Sequence, residues 1–80
     1  MEYKIDLINL KFENIKEEVN DGKLLLFAEW EVEDLLIEAK ELKNNLKFEH
    51  EIKKLNALIK QLTQYLSDIQ SLIEKECSAL

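Results

Sequence analysis

Apolar residues recur along this chain in steps of three and four. Ile5, Ile8, Phe12, Ile15 and Val19 step 3, 4, 3, 4, the spacing that puts every apolar side chain on one helix face. Leu25, Ala28, Val32, Leu35, Ala39, Leu42 and Leu46 continue it for six matches, in a stretch rich in the helix formers Leu, Ala, Glu and Lys. Ile52, Leu55, Ile59, Leu62, Leu66, Ile69 and Ile73 form a third stripe. Leu58, Tyr65 and Leu72 widen that stripe, and Gln61, Gln64, Ser67, Gln70 and Ser71 lie behind it. The pattern predicts an all-α fold: a three-helix bundle or helical hairpin with coiled-coil-like packing and a long C-terminal helix. We expect one helical domain over 1–80, with helices at about 3–19, 23–43 and 49–76.

The breaks between stripes are sparsely marked. Asn20-Asp21-Gly22 is the one strong turn signal and Asn44-Asn45 a weaker one. The apolar register changes at the second, between Leu46 and Phe48. A turn there is the expectation, because Asn ends helices readily; one continuous helix with a stammer is the alternative. The first segment has a rival reading too. Tyr3, Ile5 and Leu7 alternate with polar residues, Asp21-Gly22 is a hairpin dipeptide, and residues 28–33 alternate strictly. An antiparallel hairpin over 3–33, followed by two helices in an α+β fold, accounts for those features. Glu17, Glu18 and Asp21 also oppose the dipole at the end of a first helix.

The second segment carries a further apolar row, Leu26, Phe27, Trp30 and Ile37, opposite its main stripe. A helix apolar on two sides is commonly sandwiched between neighbours. Trp30, the only Trp, is therefore either core packing against the first helix or an interface anchor of the kind Trp often supplies. We take the row as the candidate interaction surface.

Charge adds a direction. The 80 residues hold 11 Lys, no Arg and 17 acidic residues, a net −6. Residues 1–40 carry all of that excess, densest in the acidic patch Glu29, Glu31, Glu33, Asp34 and Glu38. Such a patch is a solvated helix face or a surface for a basic partner. Acid excess without Arg disfavours nucleic acid and anionic membrane as partners. Abundant Lys, Asn and Ile with no Arg suit an AT-rich genome: a low-GC bacterium, a phage or a plasmid.

Candidate chemistry is thin. One Cys and one His cannot form a disulfide framework or fill a zinc site. A single Gly excludes a phosphate-cradling Gly-rich loop. The acid pairs Glu31/Asp34 and Glu38/Glu41 fall on one predicted helix and cannot face each other within a chain. His50 lacks a Glu three residues before it, as a di-iron motif requires, and Glu49 and Glu51 flank it as in a solvated stretch. Cys77 has no evident base beside it and reads as an inert thiol near the C-terminus. No cofactor is expected, and no enzyme.

A compact 9.5 kDa monomer exposes roughly 5,000 Å². Domains this small commonly need a staple, and oligomerisation is the one left. The long third stripe is expected to overhang the first helix and to want cover. We expect a homodimer, or a subunit of a protein complex. The leading expectation is a small non-enzymatic interaction or oligomerisation module. The alternative is a regulator from a phage or mobile element, such as an antitoxin, anti-defence or immunity protein that blocks its partner. A small-ligand or metal-dependent activity at a dimer interface is a third reading. Without a signal peptide or membrane span, the expected address is cytoplasmic.

Overall fold

A computed structural model describes residues 2–78, with side chains described for residues 3–75. It contains three helices: α1 (Glu2–Asn20), α2 (Leu25–Lys43) and α3 (Glu49–Ser78). The stripes are their seams. Ile5, Ile8, Phe12 and Ile15 of α1, Ala28, Val32, Leu35, Ala39 and Leu42 of α2, and Leu55, Leu62 and Ile69 of α3 are buried in one core. Leu46 closes its end, and Leu36 and Leu58 widen it. Ala28 and Ala39 are fully enclosed; side chains this small let the neighbouring helices approach α2 closely.

The path is up-down-up. Lys11 of α1 pairs with Glu38 of α2 at 3.5 Å, while Tyr3 and Leu7 share a groove with Glu41, Leu42 and Asn45, so α1 and α2 are antiparallel. Asp6 accepts a hydrogen bond from Lys54 at 2.8 Å. Further along, the Phe12 and Tyr65 rings meet edge to face at 5.3 Å. Both contacts show α1 and α3 running in parallel.

The hairpin over 3–33 is overturned. Burial follows the helical period: Ile5, Ile8, Phe12 and Ile15 are enclosed while Tyr3 and Leu7, which alternate with Ile5 about polar residues, are exposed, as is Leu10. Gly22 serves as a helix cap. Its φ is +106°, its N–H donates to the Val19 carbonyl, and the Lys23 N–H donates to the Glu18 carbonyl. Together these bonds make a Schellman cap on α1. One of the adverse acids at this end, Glu18, acquires a counter-charge, because the Lys23 ammonium binds Glu18 and Glu31 of α2 together.

The Asn pair is a turn. The Asn45 side-chain amide donates to the Glu41 carbonyl at 3.1 Å, and the Asn45 and Leu46 N–H groups close on Leu42 and Lys43. The chain re-enters a helix at Glu49 with Glu49 and Glu51 in the first turn, on the favourable side of its dipole. At 30 residues α3 spans about 45 Å, against about 28 Å for α1. The expected overhang of its seam is nonetheless small. Every seam residue from Ile52 to Ile73 is buried or half-buried, and the sequence beyond Ile73 is polar until Cys77. Only the flanking Leu72 is left exposed.

Candidate functional site

An α-helix turns by about 100° per residue, so Leu26, Trp30 and Ile37 lie about 180° from the seam of α2, and Phe27 lies some 60° to one side of Trp30. The structure leaves this row uncovered. Leu26 is 48% exposed, Phe27 46%, Trp30 50% and Ile37 57%. The sandwich expected for α2 does not form here, and the core-packing alternative for Trp30 is overturned. Both neighbours dock on the one broad face through Ala28, Val32, Leu35, Leu36, Ala39 and Leu42. Phe27 and Trp30 instead pack on each other, edge to face, with centroids 5.6 Å apart and planes at 67°. Four half-exposed large side chains present on the order of 400 Å² of apolar surface, a size at which patches on soluble proteins are often functional.

The acidic patch is divided between two faces. Glu31 and Glu38 point toward α1 and are neutralised there, Glu31 by Lys23 and Glu38 by Lys11. With Lys11, Asn14, Glu18 and Asp34 they line an open groove of about 330 Å³ whose floor is Ile15 and Leu35. Glu29 and Glu33 flank the apolar row on its other side and are half-buried. Among the described residues, Glu29, Glu33, Asp34 and Glu41 form no ion pair. The hydrogen bonds from Glu18 and then Glu31 raise the Lys23 pKa above its ordinary 10.5.

The remaining candidates stay apart. Within α2 the pairs Glu31/Asp34 and Glu38/Glu41 do not converge on a centre, since Glu31 and Glu38 are held by lysines. Among the described residues, no three His, Cys, Asp or Glu side chains gather to hold a metal. His50 is exposed, its ring centroid 6.0 Å from that of Phe48. Cys77 lies outside the described side chains. No helix among the described residues is long and apolar enough to cross a membrane.

Sequence reasoning passed over Glu51. It belongs to the charged stretch around His50, yet it is only 8% exposed, and its Oε2 has no hydrogen-bond partner among the described residues. One signal was available. Glu51 lies four residues before Leu55 and seven before Leu58, on the core side of α3.

No protein-family model matches the chain, and neither does any curated protein or solved structure.

Proposed function

We propose that this chain is a small, acidic, non-enzymatic helical module that acts by protein–protein contact through the outer face of α2. The observation that carries the reading is the exposed row Leu26, Phe27, Trp30 and Ile37. The chain encloses its three seams and leaves an aromatic pair and two aliphatic residues open on a single helix. Their exposure costs the hydrophobic stabilisation that burial would supply, and Trp at the centre of such a patch is a common interface anchor. A cytoplasmic address belongs to the same proposal. A narrower form, a regulator that occupies a partner's basic surface as antitoxins and immunity proteins do, is favoured by the unpaired acids beside the row.

The test is affinity capture from cells of the source organism, using the tagged wild-type chain and the Trp30→Ala/Ile37→Ala double variant. Both side chains are half exposed, so the variant should keep its helical circular dichroism and its melting midpoint within a few degrees. A partner held through this face should fall at least about tenfold in recovery, as loss of two interface anchors predicts. Equal recovery by a folded variant would remove the α2 face from consideration.

A further inference from the structure

We infer that the outer face of α2 receives a basic amphipathic helix of a different protein, and not a second copy of this chain. The inference rests on the interaction reading above and names the class of partner. Its ground is the rim of the apolar row. Glu33 and Asp34 flank the row between Trp30 and Ile37, one on each side. Glu29 adds to the first flank, and Glu41 to the second. Lys40 is the one cation of α2 within a turn of Ile37; Lys11 and Lys4 of α1 line the grooves that Asp34 and Glu41 border, yet none of the four acids forms an ion pair among the described residues. The face is thus an apolar ridge between two acidic edges.

A two-fold dimer through this ridge would set the same patch against itself. Acids would then face acids across a contact that excludes water, and like charges so placed disfavour association. A partner with the opposite edges gains where the copy loses. From Leu26 to Ile37 the ridge rises about 17 Å along the axis. A helix of about twelve residues matches that length. Its apolar residues would recur every three or four positions to meet the ridge, with Lys or Arg on either side to meet the acids. Nucleic acid carries the wrong charge, and an anionic membrane is repelled by the same edges.

Trp30 is the only Trp, so its fluorescence reports this face directly. The test uses the full chain and two synthetic 18-residue helical peptides. Both carry Leu at heptad a and d positions, flanked by Lys in one and by Glu in the other. The expected result is a blue shift of Trp30 emission with the Lys peptide and affinity at least about tenfold above that of the Glu peptide, with the gap narrowing as salt screens the edges. Reversing the edges in the Glu33→Lys/Asp34→Lys/Glu41→Lys variant should invert the preference. Circular dichroism of that variant, whose changed side chains are half-buried at Glu33 and exposed at Asp34 and Glu41, should stay that of the wild type.

Three results would overturn the inference. Equal affinity for the two peptides would leave the face an interaction surface without a basic partner. Sedimentation as a dimer, with Trp30 emission already blue and both peptides excluded, would make the occupant a second copy. No shift with either peptide in a monomeric chain would leave the ridge without a helical ligand. The interaction reading stands or falls separately, on the capture experiment with the Trp30→Ala/Ile37→Ala variant.

Discussion

Gly22 and Glu51 show how much single positions weigh in a chain this small. Gly22 holds φ at +106° with open space where a Cβ would sit, so the cost of a side chain there is conformational and not steric. Gly22→Ala should lower unfolding free energy by about 1 kcal/mol, read as an earlier urea midpoint at unchanged slope, and Gly22→Asn should lose less. An unshifted midpoint for the Ala variant would mean that the Schellman cap contributes nothing to α1. Glu51 sits in the first turn of α3, where the helix dipole favours a carboxylate by about 0.3–1 kcal/mol. Against that stands a buried oxygen without a partner among the described residues, which costs about 1–3 kcal/mol. The burial cost is the larger of the two, so Glu51→Met should stabilise the fold by about 1 kcal/mol in the same urea experiment. A loss of stability would show that the dipole outweighs burial at this position.

The helices are secured at their ends in different ways, and the start of α2 is a weak one. Its N-cap is Leu24, which makes no side-chain cap bond, and no acid lies in its first turn. Leu24 is also exposed, so a polar replacement gives up little burial. Leu24→Ser should add about 1 kcal/mol by accepting a bond from a free N–H of the first turn, visible as a later thermal midpoint; an earlier midpoint would mean that Leu24 packs usefully where it stands. At this scale most of the fold was legible beforehand. The 3-4 stripes named the buried faces of all three helices, because a helix that buries one side must repeat its apolar residues near 3.6. Periodicity also showed that Leu26, Trp30 and Ile37 share a side. It could not show whether that side meets a neighbour, since the answer depends on how many helices the chain has left to cover it. With α1 and α3 both seated on the Ala28–Leu42 seam, none remained. Glu51 escaped for a related reason: its charge pointed to solvent, while its place on the α3 wheel pointed inward, and the wheel prevailed.

The molecule as a whole is long and thin, 48 × 20 × 15 Å, with 5647 Å² accessible. That exceeds the roughly 5,000 Å² expected of a compact monomer of this mass, and the excess fits a rod that leaves apolar side chains of α1 and α2 open. One core joins the three helices, and two side chains at the contacts of α1 with its neighbours have their pKa raised by the fold. Lys23 joins the end of α1 to α2 through Glu18 and Glu31, and those hydrogen bonds raise its pKa above 10.5. Tyr65 of α3 packs on Phe12 of α1, where burial raises its pKa above the ordinary 10.0, opposed by the nearby charge of Lys16. In both cases the folded state holds the proton more tightly than the unfolded chain does. The linked stability is therefore complete below the unfolded values and is lost as pH rises through the raised folded ones. The thermal midpoint should then show no loss from these two groups through neutral pH and should fall above about pH 10. Tyr65→Phe/Lys23→Met removes both protons from the balance. Its midpoint should start lower, for want of the Lys23 bridge, and should fall less steeply in alkali. In a Tyr3→Phe background, phenolate absorbance reports Tyr65 alone and should appear later in the folded chain than in urea. Parallel alkaline slopes for wild type and double variant would show that α1 is not held to its neighbours through these two protons.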